Sequence, residues 1–143
     1  MRRRSFIAAA GVAAAAACVP LVAAAQDTTK KTRVVVQVSE ADPARWNLAL
    51  NNVRNLQEDL GADKVTVEVV AYGPGIGMLK MDSAVGSRIS DALKAGVKVS
   101  ACENTMRGQK LSRADMLPNV SYVPAGVVEI IQRQQEGWAY LRP

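Results

Sequence analysis

Residues 34–71, VVVQVSEADPARWNLALNNVRNLQEDLGADKVTVEVVA, decide the architecture. Val34-Val35-Val36-Gln37-Val38 is a β-branched run of the length of a buried strand. Asp42-Pro43 then starts a helix, with Asp as N-cap and Pro at the first helical position, where a missing N–H costs nothing. Trp46, Leu50, Val53, Leu56 and Leu60 follow at intervals of four, three, three and four, which keeps them on one helical face, and Gly61 supplies the stop. Val65–Ala71 is a second β-branched run. A helix between two such strands is the crossover that parallel neighbours require.

The rhythm continues outward. Residues 83–95 read as a helix with Val85, Ile89 and Leu93 four apart, closed by Gly96, and residues 97–101 as a third strand with Cys102 at its carboxyl end. Residues 112–117 read as a short helix stopped by Pro118, and 120–123 as a fourth strand. Residues 127–135 read as a helix with Val127, Ile130 and Ile131 inward, and Trp138-Ala139-Tyr140-Leu141 adds a last strand or docks the tail. Strands alternating with helices argue for an α/β fold, one parallel sheet covered on both faces. Ligands of such sheets sit beyond the carboxyl ends of the strands, an edge occupied here by the loops 72–78 and 102–110.

The amino terminus reads as an address. Arg2-Arg3-Arg4 precede an Ala/Val stretch from Ile7 to Val22 and an A-x-A site at Ala23 and Ala25, which predicts an export signal over residues 1–25 cleaved before Gln26. Arg3-Arg4-Ser5-Phe6-Ile7 resembles the twin-arginine pattern, with the Sec route as the alternative. A retained anchor is the competing reading, against which the apolar run of 16 residues falls short of the roughly 20 that span a bilayer. Lipid attachment at Cys18 is another, although Ala15 stands where such signals carry Leu. Residues 26–32 then form a flexible polar start to the mature chain, and 33–143 a single domain.

Composition closes off several chemistries. The chain has no His, so neither Ser-His nor Cys-His nucleophile pairs exist in it, and two Cys cannot make a four-ligand zinc site. No cofactor or metal is implied. Without the signal, 118 residues carry 15 basic and 13 acidic groups, a net charge of +2 with no basic cluster among aromatics, so nucleic acid and stable membrane insertion are not expected partners. The location expected for the mature protein is the periplasm, in soluble form.

Cys102 is then the one thiol left, in an oxidising compartment where it is buried, paired between chains or used chemically. Asn104, Thr105 and Met106 follow it, and a helix beginning there would turn backbone N–H groups toward the sulfur and favour thiolate. Arg107 and Lys110 add positive charge while Glu103 opposes it, which leaves the net sign open. Equally, a small apolar Cys at a strand end is ordinary packing. The loop Tyr72-Gly73-Pro74-Gly75-Ile76-Gly77 reads as a turn that needs positive φ or as one wall of a cleft shared with Cys102; as a phosphate cradle it lacks the Lys-Ser/Thr of a P-loop. Asp82, Asp91 and Asp115 read as solvated or capping groups, and Met78 and Met81 as packing around the cleft or an interface.

The stretches Val69-Val70-Ala71-Tyr72-Gly73-Pro74-Gly75-Ile76, Gly96–Met106 with its Ala101-Cys102-Glu103-Asn104-Thr105-Met106 core, Val123-Pro124-Ala125-Gly126-Val127 and Gln135–Tyr140 with its Gly137-Trp138-Ala139-Tyr140 ending resemble the DsrE/DsrF-like family of small sulfur-relay proteins. The resemblance covers residues 33–143. It implies a three-layer α/β/α unit of Rossmann/flavodoxin-like kind with a mainly parallel four- to five-stranded sheet, assembled as a homo-oligomer, trimer or hexamer. It further implies a sulfurtransferase or persulfide carrier in which Cys102 holds sulfane sulfur. Asn104, Thr105 and Met106 would orient that sulfur, Tyr72, Gly73, Gly75 and Gly77 would shape the entrance, and donor or acceptor proteins would be partners. Thiol exchange needs a nucleophilic thiolate and access rather than a general base, so a chain without His is compatible with it. A non-catalytic oligomeric module that binds a small anion or a partner, with Cys102 as lining, and a redox sensor bridged between Cys102 thiols are the other readings.

Overall fold

The computed structural model describes residues 30–143. Its elements run β1 (Thr32–Val38), α1 (Pro43–Leu60), β2 (Val65–Ala71), a 3-10 helix (Gly73–Leu79), α2 (Gly86–Lys94), β3 (Lys98–Cys102), α3 (Glu103–Gly108), a 3-10 turn (Arg113–Asp115), β4 (Ser121–Val123), α4 (Gly126–Gln135) and β5 (Ala139–Leu141). All five strands are parallel, in the order β4-β3-β2-β1-β5. The fold class expected from the sequence is the one observed: helices α1 and α2 lie on one face of the sheet and α4 on the other.

The two faces differ sharply in chemistry. Strand residues alternate between them. Val34, Val36, Val38, Val67, Val69, Ala71, Val99 and Ala101 meet Trp46, Ala49, Leu50, Val53, Val85 and Ile89 in the main core. Each fully covered Val or Ile there contributes about 1.5–3 kcal/mol relative to an exposed one. The opposite face carries a small cluster, Val35, Val70 and Ile130 with Tyr72 and Trp138 against it, beside the fully buried polar residues Glu68 and Ser100.

Local signals explain most boundaries. The Asp42 carboxylate accepts from Ala44 N–H at 2.9 Å, Pro43 stands at N1, and Gly61 N–H closes onto Gln57 O. Four readings need correction. The loop from Gly73 is a 3-10 helix whose Ile76, Met78 and Leu79 are core, so Met78 packs inside while Met81 is 61% exposed. Residues 112–117 form a single 3-10 turn, capped reciprocally by Ser112 and Asp115, because Met116 then extends to bridge Lys80. Helix α2 begins at Gly86, after Ser83 and Val85 have closed a turn. On α4 Ile130 alone of its three expected residues points inward; Val127 and Ile131 face out, since the sheet beneath offers mainly polar Glu68, Ser100 and Lys98.

Candidate functional site

Cys102 ends β3 and caps α3. Parallel alternation puts Lys98, Ser100 and Cys102 on the α4 face, and the chain turns at Cys102 (φ −76°, ψ 114°) so that its sulfur accepts from Thr105 N–H at 3.5 Å. The residue is only 4% exposed. Burial pushes the thiol up, but the Thr105 hydroxyl and the backbone N–H groups of Gly126, Thr105 and Asn104 outweigh it and hold the thiol below its ordinary range. The Asn104 N–H is also bonded to Pro124 O at 3.1 Å, which limits its pull on the sulfur. No charged side chain figures among these causes: Arg107 turns instead to the Asn104 side-chain oxygen, and Arg113 pairs with Glu103 at 3.5 Å.

The expected glycine-loop residues divide. Gly73 N–H donates to Thr105 Oγ1 at 2.8 Å, which ties the end of β2 to the end of β3 and leaves the hydroxyl proton free to face the sulfur. Gly73 has the positive φ expected of a turn (+55°). Gly75 is required by close approach: a Cβ there would lie 2.3 Å from Val38 O. Its N–H bonds Ser39 O and Tyr72 O, so with Gly73 also engaged neither of these two glycine amides is free for a phosphate. A Cβ at Gly77 would lie 3.3 Å from the Trp46 ring, and Gly77 is not among the groups that hold the thiol down. Met106 is a core side chain, and among the three residues after Glu103 it is Thr105 that contacts the sulfur through both side chain and backbone.

Gly126 escaped the sequence reading. A Cβ at this first residue of α4 would come within 2.9 Å of Tyr72 Cβ, so only glycine lets the helix start press onto the β2 end while its amide faces the sulfur. The signal was present in Pro124-Ala125-Gly126, a helix start just beyond a strand end. Tyr72 thus walls the site through Gly126, and burial raises its phenol. Two helix starts, α3 and α4, converge on one thiol, surrounded by donors and by no side-chain base.

Comparison with known proteins agrees with this arrangement. The sequence matches the DsrE/DsrF-like family over residues 30–143. This chain is a member of that family. The protein of unknown function MTH1491 from Methanobacterium thermoautotrophicum is 42% identical to the DsrE/DsrF-like chain, which it covers over 79% of its length and 100% of its own, with a TM-score of 0.76. The conserved protein of unknown function BT1422 from Bacteroides thetaiotaomicron (10% identity, 78% and 94% coverage, TM-score 0.63) and the ychN protein from E. coli (13%, 80% and 99%, 0.60) share the fold. No curated protein matches the sequence. Membership associates the chain with sulfur relay. Among the described residues no group of three or more His, Cys, Asp or Glu could hold a metal, and no helix is long and apolar enough to cross a membrane. The export reading falls on residues 1–25, outside those described.

Proposed function

We propose that this DsrE/DsrF-like protein acts in the periplasm and carries sulfane sulfur as a persulfide on Cys102, passing it to an acceptor thiol. The observation behind the reading is the Cys102 sulfur at the start of α3, accepting from Thr105 N–H at 3.5 Å with its thiol held below the ordinary range, which favours the nucleophilic thiolate without a base. The thiolate attacks the outer sulfur of a persulfide or polysulfide donor; a new S–S bond forms, the donor's S–S bond breaks, and the donor leaves as thiolate with the electron pair. An acceptor thiolate attacks the same outer sulfur in the second step and releases Cys102 thiolate. No net oxidation occurs and no cofactor enters. Thr105 orients the sulfur, and Tyr72, Gly73 and Gly75 frame its surroundings.

Assembly fits the same picture. Val127, Val128 and Ile131 lie on one side of α4 and are each about half exposed (50, 47 and 48%), an apolar stripe suited to a second copy of the chain. It sits on the helix whose amino terminus faces the thiol, so a homo-oligomer formed there would flank the site.

The test is intact mass of the mature protein after brief exposure to polysulfide, with and without reductant, beside Cys102→Ser. A reducible gain of about 32 Da on wild type alone supports the carrier. A second reading draws on the 4% exposure of Cys102: a module that binds a small anion or a partner, with the thiol as lining. It is favoured if wild type gains no sulfur and Cys102 resists alkylation in the folded state.

A further inference from the structure

Helices α1 and α2 cover the face of the sheet away from Cys102. They run side by side in the same direction, since Asn47 and Asn51 of α1 meet Arg88 of α2, and Gln57 further along α1 meets Ala95 at the end of α2. Each turns toward the other a ridge of residues at i, i+3, i+4 and i+7, starting at Leu50 on α1 and at Arg88 on α2. The α2 ridge continues into Ala92 and Ala95, side chains too small to fill the seam, and a cleft of about 230 Å³ remains between the helices. Its floor is apolar, made by Leu50, Val53 and Ala92.

Hydrogen bonds between the helices bound this cleft at both ends. Gln57 Nε2 donates to Ala95 O at 2.9 Å at one end. At the other, Arg88 Nη1 donates to Asn47 Oδ1 at 2.6 Å and to Asn47 O at 3.3 Å, and Nη2 donates to Asn51 Oδ1 at 2.7 Å. All of these acceptors on Arg88 are neutral. Among the described residues no carboxylate pairs with its guanidinium within 4.0 Å, although Asp91 lies one turn further along the same helix and lines the same cleft. Arg54, on the opposite rim, is exposed and pairs with Glu58 of its own helix at 3.6 Å. A guanidinium has five N–H donors, so the three bonds fix the orientation of Arg88 and leave donors over, Nε among them.

A half-buried cation, oriented by neutral amides and uncompensated by an acid, beside a small apolar cavity matches an anionic head joined to an apolar body. An apolar cavity of about 150 Å³ takes a benzene ring, so this one has room for a single ring or a chain of about six to eight carbons. The Asp91 carboxylate on the rim opposes a second negative charge, which selects a monoanion.

We infer that the α1–α2 cleft is a second binding site, separate from the thiol, for a small monocarboxylate with an apolar body: the carboxylate sits on Arg88 and the body lies on Leu50, Val53 and Ala92.

The experiment is calorimetric titration of the mature protein with cyclohexanecarboxylate, beside cyclohexylmethanol, cyclohexylmethylamine and acetate, with backbone amide NMR to locate the contact. The expected result is saturable binding of cyclohexanecarboxylate with a dissociation constant of about 1 mM or below. The alcohol, the amine and acetate should each bind at least about tenfold more weakly, because each lacks either the charge or the body. The shifted amides should belong to α1 and α2. Arg88→Gln should weaken the carboxylate about tenfold, and Ala92→Leu should abolish its binding by filling the floor while every charge is kept. The absence of saturable binding, equal affinity for the alcohol, unshifted α1 and α2 amides because a second copy of the chain covers the cleft, or an Ala92→Leu variant that binds like wild type would each overturn the inference. Ala92→Leu and the probe series on wild type decide where Arg88→Gln does not fold. None of these readouts depends on whether Cys102 takes up sulfur.

Discussion

Replacing Thr105 by Val removes one oxygen and keeps the shape. That oxygen accepts from Gly73 N–H at 2.8 Å and its proton faces the Cys102 sulfur, so two effects follow from one atom. Gly73 is half-buried and water can partly replace the acceptor, which puts the stability loss near 1 kcal/mol rather than at the upper end for an orphaned donor. The thiol effect is larger in proportion. A hydrogen bond to a charged group is worth about 1.5–3 kcal/mol, more than the stability loss; the Thr105 and Gly126 amides remain, so Thr105→Val should raise the thiol part of the way back to its ordinary range. Thr105→Ser retains the hydroxyl and should stay near wild type. The assay is alkylation rate against pH, with urea unfolding alongside. A Thr105→Val midpoint equal to wild type, or a Thr105→Ser shift as large as that of Val, would refute the assignment of the hydroxyl to the sulfur.

Other outcomes are as definite. Gly75→Ala places a Cβ 2.3 Å from Val38 O and 2.9 Å from Ser39 Cα, both backbone, so urea unfolding should show a loss of about 2–3 kcal/mol; a variant within about 0.5 kcal/mol of wild type contradicts the close approach. The folded thiol lies below its unfolded value, near 8.5, so its ionisation stabilises the native state fully above that pH, and the gain is lost as pH falls through the folded value. The stability advantage of wild type over Cys102→Ser should therefore grow as pH rises to about 9, and a difference that stays flat over that rise counts against the thiolate. Ile131→Asp should reduce the sedimenting mass without moving the thiol titration; a monomeric wild type, or a variant that assembles unchanged, removes the α4 stripe from the oligomer proposal.

Legibility varied with the range of the interaction. The β-branched run Val34–Val38, the Asp42-Pro43 start and the Gly61 stop sit within a few residues of the structure they produce, and each appears in the fold as read. The Gly73–Leu79 segment did not, because its glycines suggested a loop while Ile76, Met78 and Leu79 drive it inward as a 3-10 helix. Val127 and Ile131 share a helical face with Ile130 in part, and periodicity alone does not say how wide a stripe the sheet will cover. Glu68 was passed over inside a strand of valines, although an acidic residue in such a run is itself a sign of a buried partner.

Taken by itself, the sequence determined the order of strands and helices, the parallel sheet and the placement of Cys102 at a strand end, because periodicity, caps and turn residues act locally along the chain. The donors around the sulfur and the partners of the buried Glu68 carboxylate were decided only in three dimensions. Thr105 meets Gly73, Gly126 meets Cys102 and Tyr72, and Arg133 meets Glu68 because the β4-β3-β2-β1-β5 order and the crossover of α4 bring together residues far apart in the chain, and no local rule of hydrophobic pattern encodes where a crossover helix will begin or which way it will lie.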